Sequence, residues 1–414
     1  MRYWQRRRPG CLVIVLSLTA FSLEAWETVT QLESRALALE KKGDAKGSLS
    51  LWQQAASLDP NSARIQDQVG FLLAVLNQRD QAIRHFVRAI ELDGRYAPAH
   101  YHLGIAYLLD QDPNRGIPEL EAAVDCLPDN FDYRFYLGHA LNDTAHYSEA
   151  LVQLRAATAL SAAHSEAWNQ LGLALQNTGR SSDALDAYGH AVKLDPANLD
   201  ARNNYGFMLV SSGRADDGVA QFSQILKLDP ANTMARVNVG FANLQKGNFS
   251  AAETQFREVI NSDPRLAIAH YDLGVALKLE DQLDAATAEL KHALELDSTL
   301  EEAHYTLGIV YWQRGDFEQA AREMKAAVEI NPNDPDAYLM LGSALSRKGD
   351  FDAAELALRS AIHLDPLNPG AYNKLGEVLK HKGDIEGSRR AFAEGARNVE
   401  RKNRELGRML QKSP

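Results

Sequence analysis

The sequence predicts an all-α fold, an array of stacked helical hairpins. Three observations predict it. The six residues KLDPAN occur at Lys193–Asn198 and again at Lys227–Asn232, 34 positions later. A step of 34 from Gly70 meets glycine at 104, 138, 172, 206, 240, 274, 308, 342 and 376, with no insertion or deletion. Within each period, apolar residues fall at helical spacing in two runs separated by a turn signal. A chain of 414 residues is long for one core, but an array escapes that bound because each unit packs only on its neighbours.

The first element is not part of the array. The opening MRYWQRRRPGCLVIVLSLTAFSLEAWE is basic as far as Arg8 and apolar from Cys11 to Leu23, and Glu24 ends the run. That is short for a membrane span of roughly 20 residues and has the flanks of a secretory signal. Ser22 and Ala25 offer exit points. Residues 1–25 therefore read as a signal peptide, or alternatively as an uncleaved membrane anchor. The expected location is secreted or periplasmic, or membrane-anchored with the rest of the chain outside the cytoplasm.

Each period then carries the same grammar. Small residues recur twelve positions after the glycines, from Ala82 to Ser388, and again at Ala89 through Gly395. Between them runs a large apolar column: Phe86, Leu120, Leu154, Tyr188, Phe222, Phe256, Leu290, Met324, Leu358, Phe392. Prolines close most units. In unit 301–334, Leu307, Val310 and Tyr311 mark one helix face, and Phe317, Ala320, Met324 and Ala327 the next. Gly315-Asp316 breaks and caps between them. A mid-helix glycine costs about 1 kcal/mol relative to alanine, so the column needs close packing to offset it. The expected neighbours of Gly308 are Ala320 and Ala327. In unit 97–130 Pro113 can open the second helix and Pro118 is expected to bend it or delay its start, with a hinge or a local change in superhelix curvature near residues 110–165.

These columns resemble the tetratricopeptide repeat in period, small positions, aromatic column and terminal proline. The resemblance covers eleven units, 29–62 through 369–402; the first is degenerate, with Ala36 in the glycine position. It implies a right-handed α-solenoid of stacked helix-turn-helix tetratricopeptide repeats over 26–402, closed by a C-terminal capping helix or tail at 403–414. It also implies a concave groove, lined by the first helix of each hairpin, that binds peptides or protein segments.

Composition narrows the function. A hydrophobic content of 45% with 24% charge suits a folded chain, and a net charge of −11 repels phosphate backbones, so nucleic acid is not an expected partner. Two cysteines make no disulfide framework. There is no phosphate-binding Gly-Lys loop, Gly-x-Ser-x-Gly elbow, His-Glu-x-x-His or Cys-x-x-Cys. No catalytic residue, cofactor or metal is expected. His100, His270 and His304, each in an AHY triplet, read as packing residues. The sequons at Asn142 and Asn248 read as chance.

The candidate binding residues are the first-helix positions that the packing columns leave over. Two positions before the glycines stand Gln170, Asn204, Asn238 and Asp272. One earlier stand Asn203, Tyr271 and Tyr305. One after the glycines stand Phe207 and Phe241, and Trp312 joins from further along its helix. An amide ladder beside an aromatic strip suits an extended peptide, because amides donate and accept at once. The column is similar to the asparagine ladder of O-GlcNAc transferase repeats, from which it departs because only Asn204 and Asn238 are asparagine in register. The expected function is a non-catalytic protein-interaction scaffold. The alternatives are a substrate-presenting subunit of a separate modifying enzyme and a membrane-anchored assembly factor. Membrane contact is expected only through an uncleaved N-terminal segment.

Overall fold

The computed structural model describes residues 28–412, with side chains through 404; the segment read as signal or anchor, 1–25, lies outside the described residues. The described residues form 22 helices and no strand. The chain divides into two compact units, 1–208 and 209–414.

In the first unit, α1 covers 28–40, followed by α2 (Ala45–Leu58), α3 (Ala63–Val75), α4 (Arg79–Leu92), α5 (Ala97–Leu109) and α6 (Pro113–Cys126). Then come α7 (Phe131–Asp143), α8 (Tyr147–Leu160), α9 (Ser165–Asn177), α10 (Ser181–Leu194) and α11 (Leu199–Ser211), within which the unit boundary falls. The second unit continues with α12 (Ala215–Leu228), α13 (Thr233–Gln245), α14 (Phe249–Ser262), α15 (Ala267–Leu279), α16 (Leu283–Leu296) and α17 (Glu301–Gln313). It ends with α18 (Phe317–Ile330), α19 (Pro335–Lys348), α20 (Phe351–Leu364), α21 (Pro369–His381) and α22 (Ile385–Lys412).

Within each unit the odd-numbered helices pack on the even-numbered helix that follows, α3 on α4 through α9 on α10 in the first and α13 on α14 through α21 on α22 in the second, forming the hairpin of one repeat. Successive odd helices also touch, α3 with α5, α5 with α7 and α7 with α9, and in the second unit α15 with α17 and α19 with α21. The even helices make no comparable contact with each other. Each unit is therefore an α-solenoid of two layers, with the first helices side by side in one of them.

The glycine column works differently from the alanine packing expected of it. The three atoms nearest a Cβ on Gly308 all belong to Met324, with Cε at 2.8 Å, rather than to Ala320 or Ala327. The pattern repeats: Gly70 faces Phe86, Gly104 faces Leu120, Gly138 faces Leu154, Gly172 faces Tyr188 and Gly342 faces Leu358. The missing side chain makes room for the large residue sixteen positions on, which is then almost fully buried. The small column contributes its backbone carbonyls to the same contact, as at Gly104 and Gly342.

Hairpin turns need a left-handed residue after each first helix. Gly179 takes it with φ +76°, whereas Asn77, Gln111, Ala145 and Asp281 hold it at 58–60° without being glycine. The KLDPAN junctions cap both ways. Asp195 accepts from the Ala197 N–H and Asn198 from the Ala201 N–H in the first unit; Asp229 and Asn232 do the same for Ala231 and Ala235 in the second.

Three further expectations are corrected. The second helix of unit 97–130 is not delayed: α6 starts at Pro113, where no N–H is needed, and runs through Pro118. The region 110–165 is not a hinge, because one continuous core runs through it, joining Leu120, Val124, Phe135, Leu154 and Leu171. The segment 403–412 is not a separate capping helix but the continuation of α22, which is 28 residues long.

Candidate functional site

The ten candidate residues lie on first helices. Gln170 is on α9 and Asn203, Asn204 and Phe207 on α11. Asn238 and Phe241 are on α13, Tyr271 and Asp272 on α15, and Tyr305 and Trp312 on α17. Phe207 and Phe241 are 38% and 37% exposed. Trp312 is half-buried and meets Phe317 edge-on at 5.1 Å, so its ring belongs partly to the core. Tyr271 and Tyr305 also lean against that core.

The amides form a network within the first unit. Asn142 Nδ2 donates to Gln170 Oε1 at 3.0 Å, and Gln170 Nε2 donates to Glu166 at 2.9 Å. Asn169 and Asn198 also donate to Glu166, and Asn204 Nδ2 donates to Asn169 Oδ1 at 3.1 Å. Asn142 is 4% exposed, which leaves its sequon no access to a glycan. The ladder is thus partly a stitch between repeats. Residues 35 apart recur in that role: Asn204 with Asn169, His102 with Asp67, Tyr136 with Tyr101 and Thr306 with Tyr271.

This register accounts for Asp272. Its counterpart 35 positions earlier is Val237, which offers no donor. Burial without a hydrogen bond pushes the Asp272 carboxyl up to about 7. Asp272 sits in the ladder's column without a ladder amide's chemistry.

A third column stitches each first helix to the loop before it. Four positions before the glycines, eight consecutive side chains bond the carbonyl six residues back. Gln66 reaches Pro60, His100 Gly94, Arg134 Pro128, Trp168 Ala162 and Arg202 Pro196 in the first unit. Arg236, His270 and His304 reach Pro230, Pro264 and Ser298 in the second. His100, His270 and His304 also bond Glu119, Glu289 and Glu323 through Nδ1. These histidines hold a loop by hydrogen bonds, a more specific role than packing. The Glu323 carboxylate holds His304 above the usual imidazole range.

Two sequence profiles match this pattern. One, described as tetratricopeptide repeat, matches residues 72–131, 208–263, 240–301, 305–369 and 339–401; another of the same description matches 165–198. The chain belongs to the tetratricopeptide repeat family. Among solved structures it is similar to a tetratricopeptide repeat protein from Parabacteroides merdae, at 17% identity and a TM-score of 0.53, covering 60% of this chain and 98% of that one. It is also similar to yeast Tom70, at 13% identity and a TM-score of 0.50, covering 94% and 98%. At such identities the likeness is one of fold. No curated protein matches the chain.

The structure adds residues in the same columns that the sequence reading passed over. Phe71 and Tyr136 are each 39% exposed on α3 and α7. His102 lies among the rings of Phe71, Phe86 and Tyr101, with centroids 5.4–5.5 Å away. Their signal in the sequence is positional: Phe71 follows its glycine as Phe207 does, and His102 and Tyr136 precede theirs as Asn204 does. Among the described residues, no three His, Cys, Asp or Glu side chains gather as a metal ion would need, and no helix is long and apolar enough to cross a membrane.

Proposed function

We propose that the chain is a non-catalytic interaction scaffold that binds extended protein segments along its first-helix face, and that residues 1–25 export or tether it. One observation carries the binding reading. Aromatic side chains stand exposed at equivalent first-helix positions, Phe71 and Phe207 in the first unit and Phe241 in the second. Exposed aromatics in register favour contact with other proteins. Asn204 supports it, since its carboxamide oxygen has no protein partner among the described residues and can accept from a bound backbone.

The test is a cross-linking pulldown from the native source with wild type and an Asn204→Ala/Asn238→Ala variant, alongside circular dichroism. The expected result is loss of captured partners at unchanged helical content; full retention of partners would sink the ladder. Sequencing the mature N-terminus tests the export reading. A start at Leu23 or Trp26 supports cleavage, whereas retained Met1 supports an anchor.

A further inference from the structure

We infer that the first unit carries a side-chain-specific anchor pocket, built by α3, α4 and α5, which takes a neutral aromatic ring bearing an N–H donor: the tryptophan of a partner protein. The inference rests on the reading that the first-helix face binds proteins, and adds where the partner is gripped and by what chemistry.

The pocket has a volume of about 430 Å³ and is walled by Phe71, Val75, Phe86, Tyr101, Ile105 and Leu109. Behind one wall lies a polar pair that packing alone does not call for. Asp67 is fully buried, and its Oδ1 lies 2.8 Å from His102 Nδ1. Its Oδ2 has no hydrogen-bond partner. Unsatisfied buried carboxylate oxygens are rare and costly. The pair has a definite chemical effect. A carboxylate oxygen can only accept, so Nδ1 carries the ring proton. In the neutral ring Nε2 is then a fixed acceptor, and it has no partner among the described residues.

Charge decides the occupant. The cation at the mouth, Arg79, is paired with Asp110 at 2.5 Å, so no free positive group waits for an anion. Asp67 is sealed behind His102 with no exposed surface, so a lysine or arginine entering would lose its hydration without reaching a carboxylate. What remains is a largely apolar, ring-lined space with a ring-nitrogen acceptor on His102 and the Asn77 amide at its edge. An indole matches it, with a broad face for Phe71 and Tyr101 and one N–H for His102 Nε2.

The test uses the full chain with its histidine rings isotope-labelled, and three probes: N-acetyl-tryptophanamide, N-acetyl-phenylalaninamide and N-acetyl-lysine methylamide. The His102 resonance is assigned by its loss in His102→Phe. The tryptophan probe is expected to shift that resonance saturably, and the phenylalanine probe to bind about fivefold more weakly, as loss of one hydrogen bond implies. His102→Phe should abolish the difference between the two. Leu109→Glu should block the pocket without disturbing the fold, since Leu109 is 62% exposed. Equal binding of the phenylalanine probe, preference for the lysine probe, or no saturable shift would each overturn the inference. The probes report on the pocket alone, so their failure is separable from failure of the partner pulldown.

Discussion

Gly342→Ala tests the role assigned to the glycine column. A Cβ built at 342 would lie 2.6 Å from Leu358 Cγ, 2.9 Å from Cδ2 and 3.2 Å from the Ala354 carbonyl. Comfortable carbon contacts are about 3.5–4.0 Å, so the overlap is about 1 Å. Leu358 is fully buried, and its branch point, not a flexible end, receives the clash. Overpacking of this kind costs about 1–3 kcal/mol. Alanine returns about 1 kcal/mol of helix propensity. The net effect is a destabilisation of about 0–2 kcal/mol, too narrow a range to be decisive alone. The double-mutant cycle is decisive. Leu358→Ala by itself costs about 2–5 kcal/mol, but it removes the clash. In that background Gly342→Ala should stabilise by about 1 kcal/mol, giving a coupling of about 1–3 kcal/mol. An array need not unfold in one step, so the assay is hydrogen exchange of α19 and α20 in the full chain. The same effect of Gly342→Ala in both backgrounds would refute the packing account. The account also ranks sites. Gly308→Ala should be milder, because Cβ there meets the flexible thioether of Met324.

Three further outcomes are expected. Ala145→Gly should stabilise the first unit by about 1 kcal/mol, because Ala145 holds φ +60° at a turn where Gly179 and others carry glycine; unchanged exchange protection around α7 and α8 would contradict this. His304→Gln should destabilise more at pH 6 than at pH 9. The Glu323 contact raises the folded-state pKa of His304, so its contribution is complete below the ordinary value of 6.5 and is lost as pH climbs through the raised one; a pH-independent difference in denaturation midpoint would count against it. Asp272→Asn should be close to neutral near pH 4 and stabilising at pH 8. The folded carboxyl holds its proton up to about 7 while the unfolded one loses it near 3.8, so wild-type stability falls across that window and the amide removes the slope; parallel pH profiles for both proteins would refute this.

Period, helix pairs and caps were legible in the sequence because they follow from local rules: glycine columns, helical spacing and Asp-Pro junctions. What faces the glycines was not. Small residues in register suggested small-on-small packing, but the helix crossing sets each glycine under the large residue sixteen positions on. The loop-stitching column was hidden because Gln66, His100, Arg134, Trp168 and Arg202 share no size, charge or shape. They share only a donor and a reach of six residues. The candidate site was half legible. The columns marked Asn204 and Phe207 correctly as first-helix surface positions, but not that Asn204 is bonded to Asn169. Nothing in a one-dimensional pattern shows that His102 backs onto a sealed carboxylate.

The 35-residue stitch turns these observations into a rule about where specificity is written. One residue two positions before a glycine meets one three positions before the previous glycine. When both are polar, as with Asn204 and Asn169, the pair bonds to itself and leaves the Asn204 carboxamide oxygen open on the face. When both are aromatic, as with Tyr136 and Tyr101, the pair builds a wall. Two pairs leave a group unsatisfied: Asp272 above Val237 keeps a carboxyl without a donor, and Asp67, bonded to His102 through one oxygen, keeps its other carboxylate oxygen buried without a partner. Unsatisfied groups cost stability that the array's other contacts must offset. They therefore mark the positions where a bound partner has most to contribute, one in each unit. Substituting Val237→Asn should supply Asp272 with a donor and lower its pKa, a change readable by carboxyl NMR titration. If the titration stays near 7, the stitch does not govern that site and the rule fails.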